Sequence, residues 1–96
     1  MTTSKSPTHI LQDEETIVAI MARIKRAQGQ LGGIVRMLEE GRSCEEIVTQ
    51  MSAVSKAVHS AAFTLISASL EECIIEGRSD QKAVSEKLQK LFLSLA

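Results

Sequence analysis

The chain has 96 residues, with 11 basic and 12 acidic side chains for a formal net charge of −1, two Phe and neither Trp nor Tyr. One domain of this size with a purely aliphatic core is thin, so burial against further copies of the same chain is expected. The charge balance excludes a uniformly cationic nucleic-acid binder, and no apolar run comparable to the roughly 20 residues of a bilayer span or to a secretory signal stands out, so a cytoplasmic protein with no membrane partner is expected.

Residues 1–12 hold Ser, Thr, Lys and the single Pro without apolar periodicity and read as a flexible N-terminal arm, leaving 13–96 as one helical domain. From Asp13, apolar positions at Ile17, Met21, Ile24, Leu31, Val35 and Leu38 recur at the helical period and predict a first helix ending near Glu40. Gly29, Gly32 and Gly33 inside it cost about 1 kcal/mol each relative to Ala. They imply close approach by a backbone or a phosphate, or tight packing of a neighbouring helix. Gly41 is a stop, and Ser43 with Glu46 forms a capping-box pattern that starts a second helix at Cys44. Ile47, Met51, Val54, Val58, Ala61, Leu65 and Ala68 carry it to Gly77. Ser79 or Asp80 opens a shorter third helix with Val84, Leu88, Leu91, Phe92 and Leu95 on one side. The fold class is therefore all-α: three helices, long, long and short.

The two cysteines stand at the two ends of the second helix. Cys44 and Cys73 are 29 positions apart, roughly 43 Å along a straight helix, whereas a disulfide needs Cα atoms within about 7 Å. Within one chain they cannot meet. At about 100° per residue they nevertheless share one meridian, with Val48, Ser52, Ser55, His59, Ala62, Ile66 and Ser69 between them. Antiparallel pairing of this helix with its copy sets Cys44 of one chain beside Cys73 of the other, twice per dimer. The helix N-terminus favours a thiolate at Cys44, against the local opposition of Glu45 and Glu46. Two buried, inert cysteines are the competing reading, and His59 is more simply a mid-helix polar residue than a ligand. His9 and His59 receive no role.

The run RIKRAQGQLGGIVRMLEEGRSCEEIVTQMSAV, Arg23 to Val54, continuing through SLEEC to the third helix, resembles the copper-sensitive operon repressor (CsoR) family over about three quarters of the chain. The resemblance implies antiparallel four-helix-bundle dimers assembled into a disc-like homotetramer, a dimer of dimers, that binds double-stranded operator DNA and releases it when an inducer reaches an inter-subunit site. Copper-sensing members carry Cys, His and Cys. The position four residues before the second Cys is Ser69 here, and the family's Tyr and Glu around that His are matched by Ser43 and Gln89. Two cysteines without the His resemble the persulfide-sensing, CstR-like branch, which implies Cys44 and Cys73 as sensing thiols, bridged by two, three or more sulfurs on reaction with low-molecular-weight persulfides or polysulfides. No cofactor or metal is then expected. The alternative is Cu(I), held by the same Cys44 and Cys73.

Four basic residues (Arg23, Lys25, Arg26, Arg36) and no acidic one lie between Thr16 and Leu38. Arg23, Lys25 and Arg26 are placed to reach phosphates, Gln30 to reach backbone or a base edge, and Lys56 to extend the patch from the second helix. A nucleophile, base and oxyanion constellation is lacking, so no enzyme is expected. A helical scaffold with inert cysteines is the alternative from another class.

Overall fold

The computed structural model describes residues 8–95 and forms three helices, α1 (Glu14–Glu40), α2 (Cys44–Glu76) and α3 (Gln81–Leu95), with no strand among the described residues. Local chemistry sets each boundary. Asp13 accepts the Thr16 amide at 3.0 Å and satisfies one of the free N–H groups that open α1. Gly41 ends it at φ +72°, where a Cβ is strained, and donates its N–H to Leu38. Ser43 starts α2 through the anticipated box: its hydroxyl accepts the Glu46 amide at 3.2 Å while the Glu46 carboxylate accepts the Ser43 amide. Gly77, at φ +62°, closes α2 on the Cys73 carbonyl. The expected helix ends are therefore the observed ones.

Three residues separate α1 from α2, which fold back on each other; α3 returns along the C-terminal half of α2 and does not pack on α1. Ala27, Ile34, Ile47 and Val54, with Met37 against them, form the α1–α2 core. Toward the other end Ala61, Ile66, Cys73 and Val84 are buried, and the Phe63 and Phe92 rings meet at 4.9 Å across α2 and α3.

The seam that α1 uses differs from the one its apolar period suggests. Met21, Ile24, Leu31, Val35 and Leu38 are exposed, Leu38 by 58%. Contact with α2 is made one residue earlier in each repeat, by Ile20, Ala27, Gln30, Ile34 and Met37, all buried or half-buried. That register includes Arg23 and Gln30 and so scores poorly as an apolar stripe. Its use leaves the more hydrophobic register bare. On α2 the series splits: Ile47, Val54 and Ala61 are buried, while Met51, Val58 and Leu65 are exposed.

The expectation that no segment matches a bilayer span is corrected by α2. This 33-residue helix contains an 18-residue window of mean hydropathy 1.3, long and apolar enough by composition to cross a membrane, and only 22% of that window is buried. Between Met51 and Leu70 the single charged side chain is Lys56. The protomer as a whole is extended, 55 × 28 × 25 Å. Its 6947 Å² of accessible surface exceeds the roughly 5,400 Å² of a compact monomer of its mass. Large apolar side chains are exposed on all three helices, among them Leu31, Val48 and Leu93.

Candidate functional site

Cys44 and Cys73 share a meridian of α2 but not an environment. Cys44, at the first turn, is exposed; Cys73, in the last turn, has no exposed surface. Along the stripe between them Val48, Ser52, Ser55 and His59 are exposed, Ala62 is half-buried, and Ile66, Ser69 and Cys73 are buried. The change falls where α3 begins to cover α2. The first turns of α3 lie directly over the second thiol, with the Gln81 carbonyl 3.8 Å and the Ser85 hydroxyl 4.0 Å from Cys73 Sγ. Ser69, one turn before Cys73, is 5% exposed. Ser43 caps α2, and Gln89 is exposed in the single chain. Among the described residues, no group of three or more His, Cys, Asp or Glu is placed to hold a metal ion within one chain.

The arm expected over residues 1–12 falls partly outside the described residues. Within them, Thr8 to Gln12 are tied to the end of α2. Glu72, the neighbour of Cys73, accepts from His9 Nε2 at 2.9 Å, from the Gln12 amide at 2.9 Å and from the Asp13 amide at 2.8 Å. These bonds, the Gln12 amide foremost, hold its carboxyl below the usual glutamate range. The His9 side chain is 1% exposed, and its Nδ1 lies 3.7 Å from the Glu76 carboxylate. Arg78, in the turn before α3, donates to the Thr8 carbonyl at 3.0 Å and to Asp80 at 2.9 and 2.7 Å. Sequence reasoning passed over Glu72 and Arg78, because only the fold brings residues some 60 positions apart together.

The proposed DNA contacts separate on the surface of α1. Arg23 donates to Thr64 on α2 at 3.1 Å. Gln30 sits on the α1–α2 seam with its Oε1 buried and without a hydrogen-bond partner, which sets it back from the surface. Lys25, Arg26 and, on α2, Lys56 are exposed. Arg36, left out of the candidate contacts, joins Lys25 and Arg26: at about 100° per residue these three and Gly29, Gly32 and Gly33 share roughly 120° of arc opposite Ala27. A methyl group at Gly29 would meet nothing within 4 Å, and at Gly32 or Gly33 only the mobile Arg36 guanidinium, at 3.9 and 3.7 Å. No neighbour within the protomer requires these glycines. They form the floor of an exposed basic strip.

An all-α protomer with a thiol at each end of its longest helix and a basic strip on the helix before it has the build of a small regulatory DNA-binding protein. Residues 17–94 match the model of the metal-sensitive transcriptional repressor family, and the chain belongs to that family. It is 42% identical over 52 residues to the copper-sensing transcriptional repressor RicR of Mycobacterium tuberculosis, a match that spans 54% of either chain. With the copper-sensing transcriptional repressor CsoR of Bacillus subtilis it shares 36% identity over 72 residues, covering 72% of this chain and 71% of that one. The crystal structure of the copper-sensing repressor CsoR with Cu(I) from Geobacillus thermodenitrificans superposes with a TM-score of 0.72 at 28% identity, over 95% of this chain and 97% of the other. The CsoR resemblance is thereby established at the level of family and three-helix fold.

Proposed function

We propose that this repressor is a cytoplasmic homotetramer that holds operator DNA while its thiols are reduced and releases it when Cys44 and Cys73 of the partner subunit are joined by reactive sulfur. The observation that carries the choice of inducer is Ser69: a buried hydroxyl stands where a third, imidazole donor would be needed, leaving two thiols. The chemistry is self-contained. The Cys44 thiolate attacks the sulfane sulfur of a low-molecular-weight persulfide, expelling the thiolate it was attached to and leaving a Cys44 persulfide. Attack by the Cys73 thiolate of the partner subunit on the inner sulfur makes the disulfide and expels hydrosulfide; if that second cysteine is itself persulfidated, a trisulfide results. The sulfane sulfur is the oxidant in each case.

Because Cys73 is fully buried, with Gln81 and Ser85 of α3 against its sulfur, bridging requires the Gln81–Ser85 turn to move. That displacement is the mechanical output. Operator phosphates are bound by Lys25, Arg26 and Arg36 over the glycine floor, with Lys56 beside them and Arg23 bracing α1 on α2. Fourfold repetition gives a near-neutral chain a strongly positive face. About 3 kcal/mol of coupling between bridging and DNA release gives roughly hundredfold derepression.

A second reading is favoured by the relatives, whose names are copper-sensing. Two thiolates suit a soft Cu(I) ion as a near-linear pair between subunits, and Ser69 adds nothing to it. Intact mass under non-reducing conditions, after anaerobic treatment of reduced protein with polysulfide, separates the two. Covalent dimers with added sulfur, absent from Cys44→Ala and Cys73→Ala, support persulfide sensing. Unmodified monomer mass sinks it and leaves Cu(I).

A further inference from the structure

The end of α2 that carries Cys73 is fastened from outside the α2–α3 pair. Glu72 binds three donors of the segment that precedes α1, His9 is inserted with a 1% exposed side chain, and Arg78 clamps the Thr8 carbonyl and the Asp80 carboxylate at once. Arg78 and Asp80 are in the turn that leads into α3, and the Gln81 carbonyl that follows them accepts from the Cys73 thiol at 3.8 Å. The N-terminal segment thus grips both ends of the α2–α3 corner, and the corner is the cover of the thiol.

We infer that Thr8 to Asp13 form a strap that holds the α2–α3 corner closed over Cys73 and thereby sets how fast any reagent reaches that thiol. The inference rests on Cys73 being a sensing thiol, whichever inducer it meets. Without the strap, a corner made of Gly77, Arg78, Ser79 and Asp80 keeps the pairs of Arg78 with Asp80 and Glu76, the backbone bonds from the Gly77 amide to Cys73 and from the Gln81 amide to Arg78, and the packing of α3. Solvent-exposed ion pairs contribute little, so once the strap is undone the corner is held mainly by the packing of α3 and opens more often. Chemistry at Cys73 and release of the segment before α1 then promote each other, because each is favoured in the open state.

The test uses the full-length reduced protein and a reagent unrelated to either inducer. Iodoacetamide is added and alkylation of the two cysteine peptides is followed by mass spectrometry in wild type, His9→Ala, Glu72→Ala and Glu72→Gln. Cys44, exposed in each chain whether or not the corner is closed, is the internal control. His9→Ala and Glu72→Ala are expected to raise the Cys73 rate about tenfold, the factor that corresponds to 1.4 kcal/mol, with the Cys44 rate unchanged. Glu72→Gln, which keeps an acceptor oxygen, lies between them and wild type. An unchanged Cys73 rate in both alanine variants overturns the strap. So does a parallel rise at Cys44 and Cys73, which reports general loosening. Since neither sulfur nor copper enters, a failed strap leaves the inducer reading intact, and a failed polysulfide reaction leaves the strap intact.

Discussion

Gly29 sits in mid-helix with nothing within 4 Å of the place a methyl group would occupy. Gly29→Ala should therefore stabilise α1 by about 0.5–1 kcal/mol and raise the melting temperature. If the glycine floor serves DNA, the same variant weakens operator binding; equal or tighter binding would show that phosphates do not approach there. Glu72 makes an opposite kind of prediction, in pH. Its carboxyl is held low by the Gln12 amide first, then His9, so its contribution is fully present above the ordinary glutamate value, about 4.3, and is lost as pH falls through the depressed one. The Gln12 and Asp13 amide resonances should titrate with a midpoint below that ordinary value; a midpoint at or above it contradicts the bonds described. Cys44 and Cys73 were legible from spacing as a pair on one meridian. That one is bare and the other covered was not, because coverage depends on where α3 lands.

Among the elements, α1 divides into three sectors: the buried seam of Ala27 and Ile34, an apolar flank of Ile24, Leu31 and Val35, and the basic glycine strip. Periodicity in the sequence pointed to the flank as the core, since it has the larger side chains. The register with Ala27 is used instead. Its small residue lets α1 approach α2 closely, and Arg23 extends past the seam to Thr64 rather than being buried in it. On α3 the most deeply buried side chain is Val84, 1% exposed, next in the chain to Ser85, whose hydroxyl lies 4.0 Å from Cys73 Sγ. Removing two methyl groups in Val84→Ala costs about 2 kcal/mol and loosens the same turn of α3 that carries Gln81 and Ser85. The expected outcome is a lower melting temperature together with faster alkylation of Cys73; a drop in stability with no change at Cys73 would separate α3 packing from thiol protection.

For the molecule, Leu31, Val35, Met51, Val58 and Leu65 are exposed on α1 and α2, apolar surface of the kind that marks interaction faces. Leu31→Glu places a charge on the flank while touching no residue of the seam. Sedimentation should show a smaller assembly with α-helical content largely kept; an unchanged assembly would mean the flank of α1 is not an interface. α2 is long and apolar enough to cross a membrane by length and composition alone, and a helix that packs on another helix and one that packs on lipid need similar side chains.

Helix ends, and with them the position of each thiol on its helix, were decided by residues next to one another in the chain: Asp13 with Thr16, Ser43 with Glu46, and Gly41 and Gly77 at positive φ. Capping acts over three or four residues, so adjacent sequence contains all of it. Which face of α1 is buried, which cysteine is covered, and that His9 meets Glu72 were decided only in three dimensions. A helical period specifies the angle of a side chain about its own axis, whereas burial depends on what a distant segment brings to that angle.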